Sequence, residues 1–240
     1  MKYDIIGDVH GHAYELVVLL KKMGYTLSSN GHYYHRGRMA IFVGDYIDRG
    51  PQSRDVCRIV RGMVESESAI ALMGNHEYNA ICFHTLNTSS NESNEGYLRK
   101  HNLKNIKQHY ETLESYNHQE ELEQDIEWFK KLPLYYENDS FRVVHACWHS
   151  EKIAYLKSIN NDEDFNKLGI SYGFLEKSVD KKSKEYEAVE ILLKGLESPT
   201  PGHKPFKDKD GNERTAFRVK WWETPLNPTY NSISAPPNNH

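Results

Sequence analysis

Gly44-Asp45-Tyr46-Ile47-Asp48-Arg49-Gly50-Pro51 sets two carboxylates and a guanidinium within five residues, Asp45 to Arg49, between two glycines. The run before it, Met39-Ala40-Ile41-Phe42-Val43, is apolar, rich in β-branched and aromatic residues and bounded by turn formers, which predicts a buried strand. Asp45 therefore falls at a strand end, where a parallel sheet delivers its functional groups. An Asp–Arg pair on such a turn can hold phosphate oxygens with a fork-shaped donor. It can equally be a surface ion pair on a polar strand-to-helix turn, so this stretch alone leaves both readings open.

The same arrangement recurs. Tyr3-Asp4-Ile5-Ile6 leads into Gly7-Asp8-Val9-His10-Gly11-His12. Ser68-Ala69-Ile70-Ala71-Leu72-Met73 leads into Gly74-Asn75-His76-Glu77, and Phe141-Arg142-Val143-Val144 into His145-Ala146-Cys147-Trp148. Four short apolar strands thus end in Asp, Asn or His. Asp8 and His10 lie two apart, so an extended backbone points both to one side. Oxygen and imidazole donors in this mixture suit Mn, Fe or Zn, whereas a thiolate-rich set would indicate structural zinc.

In this order the blocks GDVHGH, GDYIDRGP, GNHE and VVHACW resemble the calcineurin-like metallophosphoesterases, phosphoprotein-phosphatase branch, which includes bacterial Ser/Thr phosphatases and diadenosine tetraphosphatases. The resemblance is most specific from residue 3 to about residue 80, returns at 141–149, and implies an α/β fold, a two-sheet αββα sandwich with a helical insertion. It implies two divalent metal ions, Mn first with Fe or Zn as alternatives. Asp8 and His10 would hold one ion, Asp45 would bridge both, and Asn75 and His145 would hold the second. His76 would be the general acid, with Asp48 orienting its ring, while Arg49 and the Asn75 amide would grip phosphate oxygens. The implied activity is hydrolysis of phosphate esters, Ser/Thr phosphatase-like, by in-line attack of a metal-activated hydroxide. A dinucleoside polyphosphate hydrolase is the alternative. From another class, a C-terminally incomplete, weakly active or inactive phosphate-binding relative is the competitor. His12 and His149 flank the ligands as outer partners, and Trp148 is either a pocket wall or a core residue.

The rest of the sequence bounds these readings. At 240 residues, 38% hydrophobic and with 16 tyrosines, the chain suits one large α/β domain spanning residues 1–240. A net charge of −4 gives no sign of a nucleic-acid or membrane surface, so the expected partner is a phosphorylated substrate, phosphoprotein or nucleotide. No apolar run approaches the ~20 residues of a membrane span. Three cysteines, odd in number and without a CxxC, predict buried thiols in a reducing cytoplasm.

Helical periodicity is predicted over Ala13–Met23, after Pro51, and from Glu77 to Leu86, with a hairpin turn at 28–31. Residues 87–131 read as a helical cap insertion that opens on a polar loop at 87–96 and carries His101, His109 and His118 as solvated histidines. Glu185–Leu196 is predicted helical and Thr215–Trp222 an antiparallel strand. Two prolines make 198–203 irregular, and residues 225–240 read as an irregular tail without a strand. The family pattern calls for a further late Gly-His. His203 sits between Pro201-Gly202 and Lys204-Pro205, so it is expected not to be a ligand, and the chain is expected to lack a C-terminal part.

Overall fold

The computed structural model describes residues 1–88, 96–159, 170–207, 211, 213–223 and 234–235. Its organising unit is a parallel sheet of β1 (Lys2–Ile6), β4 (Arg38–Phe42) and β5 (Ala69–Ala71), in the order β1-β4-β5. Between β1 and β4 lie helix α1 (Ala13–Lys22) and the hairpin β2 (Thr26–Leu27)–β3 (Tyr33–Tyr34). Helix α2 (Ser53–Glu65) returns the chain to β5, as parallel strands require a crossover. Ile6 pairs with Phe42, and Phe42 with Ala71, so the three strands finish level and release their next residues at one edge.

The two-residue period of β4 separates two apolar clusters. Ala40 and Phe42 face the helix side, where Leu16 and Leu20 of α1 and Val56, Val60 and Met63 of α2 pack. Ile41 faces the other way, against Leu72 and Val143. Val143 belongs to the antiparallel pair β6 (Tyr135–Glu137) and β7 (Arg142–Val144). The parallel sheet is therefore covered by helices on one face and by a small second β layer on the other. The expected α/β architecture is thus present, built from several small sheets.

Helix α3 (Asn75–His84) starts directly at the sheet edge and is almost wholly buried; α4 (Leu103–Ser115) and α5 (Gln119–Phe129) follow. The predicted polar loop at 87–96 lies largely outside the described residues. Beyond β7 come α6 (Ser150–Ile159), α7 (Tyr172–Val179) and α8 (Lys184–Lys194). The first two are missing from the sequence reading, because polar residues interrupt their apolar positions. A second antiparallel sheet joins β8 (Glu197–Pro199), β11 (Ala216–Val219) and β12 (Ser234–Ala235), in the order β12-β11-β8; β9 (Phe206–Lys207) and β10 (Glu213–Arg214) form a separate pair. Pro199 is accommodated because β8 is an edge strand. Ser234–Ala235 pairs with Val219 and Arg218 in a stretch read as strandless; the remainder of 225–240 is outside the described residues. No helix among the described residues is long and apolar enough to cross a membrane.

Candidate metal-phosphate site

The loops leaving β4 and β5 can meet only because two glycines, Gly44 and Gly74, lack side chains. A Cβ on Gly44 would lie 2.4 Å from the Gly74 nitrogen, and one on Gly74 would lie 2.3 Å from an Asp45 carboxylate oxygen. Gly44 also has φ +106°, which glycine adopts without strain. His10, Asp45, Asp48 and Arg49 hold positive φ without being glycine. Such residues cost ~1–3 kcal/mol each and persist where surrounding structure over-determines them.

For Asp45 that structure is supplied by Glu77. It is fully buried, and its carboxylate accepts backbone N–H bonds from Asp45 (2.8 Å), Tyr46 (2.7 Å) and Gly74 (2.9 Å). Burial, and after it the neighbouring Asp45 carboxylate, push the Glu77 pKa up to about 7. Tyr46 completes the tie by donating its hydroxyl to the Leu72 carbonyl at 2.6 Å. Sequence reading takes Glu77 only as a helix residue. Its place at the third position of α3, opposite the N-cap amide of Gly74, is the capping-box signal that could have found it.

Around the buried Asp45 carboxylate stand three imidazoles. His10 Nε2 is 3.6 Å from Oδ2, His76 Nε2 is 4.0 Å from Oδ2, and His145 Nε2 is 3.6 Å from Oδ1. Asp8 Oδ2 lies 3.7 Å from His10 Nε2, and Asn75 Oδ1 3.2 Å from His145 Nε2. All eight residues singled out in the sequence come to this edge. Asp8, Asp45, Arg49, Asn75, His76 and His145 line one cleft of about 460 Å³. His10 is buried beneath it, and Asp48 lies behind His76.

The donor set fits a cation. His10 Nδ1–H donates to the Ile47 carbonyl (2.9 Å), which leaves the lone pair on Nε2, and that buried atom has no hydrogen-bond partner. Burial pushes the His10 pKa down, which favours the neutral ring. His145 Nδ1–H donates to the Val43 carbonyl (2.7 Å), so its Nε2 also carries a lone pair, turned towards Asn75 Oδ1 and Asp45 Oδ1. Two groups have metal-binding spacing, His10-Asp45-His76 and Asp8-Asp45-His145, with Asp45 shared. Compared with the sequence reading, Asp8 groups with His145.

His76 is held from behind. Its Nδ1–H donates to Asp48 Oδ2 at 2.6 Å. Burial alone would lower the His76 pKa, but this bond and the charges of Asp45, Asp48 and Glu77 outweigh it, and the pKa is raised. Asp48 Oδ1 accepts from His109 Nδ1–H (2.8 Å) and from the Thr112 hydroxyl (2.7 Å). Burial would push Asp48 up; the hydrogen bonds from His109, His76 and Thr112 instead hold it well below the usual carboxylate range.

His109 thus corrects the reading of it as a solvated histidine: it is buried, and its Nε2 lies 3.1 Å from that of His84. His109 and Thr112 stand three apart on one face of α4 and are its only described buried residues, a polar pair on the inner face. His101 is likewise tied in, stacked between Phe83 and Tyr97. His12 is exposed near Glu15, and Trp148 packs on Tyr135 under Arg142, neither on the cleft. His203 is exposed in a 3-10 turn after β8 and does not line the cleft. The same cleft is also lined by Lys194, Arg218, Trp221 and Trp222, which sequence reading missed.

A family model described as calcineurin-like phosphoesterase matches residues 1–225. The chain belongs to this family. Family membership implies divalent metals, and the clustered donors accord with that. The asymmetrical bis(5'-nucleosyl)-tetraphosphatase PrpE of Oceanobacillus iheyensis is 33% identical over 146 residues, which is 61% of this chain and 55% of that protein. The PrpE of Bacillus subtilis is 42% identical over 76 residues, 32% of this chain and 31% of the relative. A serine/threonine phosphatase structure from Saccharomyces cerevisiae aligns with TM-score 0.42 and 23% identity over 73% of this chain and 47% of its own. The chain spans about half the length of the curated relatives it matches.

Proposed function

We propose that this phosphoesterase domain hydrolyses phosphoric anhydrides or esters with divalent metal, and that a dinucleoside polyphosphate is its preferred substrate. The observation that carries the reading is the buried Asp45 carboxylate ringed by His10, His76 and His145, with His10 Nε2 unpartnered. Asp8, His10, Asp45, Asn75 and His145 would hold two ions, and these oxygen and imidazole donors suit Mn first, with Fe or Zn as alternatives. When bound, such ions neutralise charge on phosphoryl oxygens and lower the pKa of water.

The remaining steps belong to side chains. Arg49 enters the cleft as a fork-shaped donor for non-bridging oxygens. The backbone N–H of Asn75, at the first turn of α3, adds a dipole of the same sense. His76 presents Nε2 to the cleft with its other nitrogen donating to Asp48, an orientation suited to protonating the leaving oxygen. Asp48 stabilises the imidazolium, and is itself fixed by His109 and Thr112.

The names of the PrpE relatives support a dinucleoside tetraphosphate over the phosphoprotein favoured by sequence alone. Free, buried Cys57, Cys82 and Cys147 support the cytoplasmic placement that belongs to this proposal. The test is a panel of p-nitrophenyl phosphate, a phosphopeptide and diadenosine tetraphosphate with Mn²⁺. Highest kcat/KM on the dinucleotide is expected; preference for the phosphopeptide would reverse the substrate assignment, and no turnover of any would leave the inactive phosphate-binding relative.

A further inference from the structure

One wall of the cleft, lined by Arg218, Trp221 and Trp222, has a chemistry that phosphoryl transfer does not use. Trp221 donates its indole N–H to the Ala146 carbonyl (2.8 Å), one residue beyond His145, which pins the ring beside the site. Trp222 meets it edge to face, with ring centroids 5.8 Å apart and planes at 89°. Trp222 nevertheless stays 59% exposed. Burying an indole face is strongly favourable, and an aromatic face left open in a cleft is a stacking surface.

Cations accompany it. Arg218 leaves β11 exposed into the same cleft, and no carboxylate among the described residues forms an ion pair with it. Lys194, at the end of α8, is shared with Glu190. Arg49 already serves the metal end, so a single phosphate monoester leaves Arg218 without a counterpart. Two guanidinium groups, Arg49 and Arg218, thus line the cleft that also holds the Asp8 and Asp45 carboxylates. Several phosphates in a row, followed by a flat heteroaromatic ring, match a single cleft whose lining carries Arg49, Arg218 and the exposed Trp222.

The geometry points to a nucleobase and distal-phosphate subsite on this wall: Trp222 stacks on a purine base, Trp221 backs it, and Arg218 holds a phosphate beyond the one that reacts. The inference rests on the phosphoesterase reading for the position of the reacting phosphate. A phosphopeptide is the competing occupant, and it needs neither a flat ring platform nor a second phosphate donor.

Two measurements test it. With Mn²⁺-loaded protein, Trp222→Ala should raise KM for diadenosine tetraphosphate about tenfold more than KM for p-nitrophenyl phosphate, the expected scale for losing one base stack. Trp222→Phe should restore most of that ratio, and Arg218→Ala should weaken dinucleotide binding more than p-nitrophenyl phosphate binding. In a chelator-treated sample, tryptophan fluorescence should be quenched by diadenosine tetraphosphate more than by inorganic tripolyphosphate, and that excess should vanish in Trp222→Ala. Equal shifts for both substrates together with equal quenching would overturn the subsite. So would tighter binding of a phosphopeptide that Trp222→Ala abolishes. Absence of turnover of both diadenosine tetraphosphate and p-nitrophenyl phosphate would strike the phosphoesterase reading instead, since quenching is read without turnover.

Discussion

Replacing Asp48 by Asn separates proton delivery from metal binding. The carboxylate takes three hydrogen bonds, from His76 at 2.6 Å, Thr112 at 2.7 Å and His109 at 2.8 Å. An asparagine has one acceptor oxygen. If that oxygen stays with His109 and Thr112, the amide NH₂ faces His76 Nδ1, which must then accept, and the ring no longer becomes a stabilised imidazolium. One bond to a charged partner is lost, ~1.5–3 kcal/mol of stability, so the folded state survives with a lowered melting temperature. The chemical loss is larger, ~10²–10⁴ in kcat, the range for general acid catalysis. It should depend on the leaving group: largest for phenyl phosphate, whose phenolate needs a proton, and smallest for p-nitrophenyl phosphate. The assay is kcat on both esters with Mn²⁺ in excess, with bound metal measured in parallel. Equal losses on the two esters, or loss of metal with normal turnover per ion, would refute Asp48 and His76 as the proton-delivering pair.

Arg49→Ala should raise KM for p-nitrophenyl phosphate by about tenfold or more with a smaller change in kcat, because the guanidinium grips ground and transition states alike; steady-state kinetics decide it. Glu77→Ala leaves three buried N–H groups without an acceptor, at ~1–3 kcal/mol each, so denaturant unfolding should show at least ~3 kcal/mol of lost stability. His84 has its pKa lowered to about 4 by burial and then by His109 and His101. Because the unfolded chain binds that proton near pH 6.5, stability should fall as pH drops from 6.5 towards 4, and His84→Gln should flatten that slope in melts across the range.

The site was legible where chemistry coincides with strand ends. Asp8, Asp45, Asn75 and His145 each follow an apolar run, and level parallel strands bring three such ends to one edge. The helices over 13–22 and 53–65 show their buried stripes as spacing. The partners that come from distant segments were not legible. His109 lies 61 residues from Asp48 on a helix whose apolar positions Leu103, Ile106 and Tyr110 are exposed while His109 and Thr112 are buried, so its periodicity marks the wrong side. The Trp221–Trp222 wall reaches the cleft through a sheet whose edge strand contains proline, and propensity argues against such a strand. Glu77 was legible only as the carboxylate of a capping box; that it also accepts from the distant Asp45 and Tyr46 amides has no mark in the side-chain pattern.

The central claim is that Asp45 gathers donors for divalent metal, and the most direct measurement is Mn²⁺ bound per chain, by equilibrium dialysis and elemental analysis. Parent protein should bind Mn²⁺ with chelator-sensitive turnover, and His203→Ala should match it, since His203 does not line the cleft. Asp45→Asn should lose the metal and the turnover together. Turnover that persists at the same rate without metal, or Asp45→Asn protein that binds as much Mn²⁺ as the parent, would contradict the account.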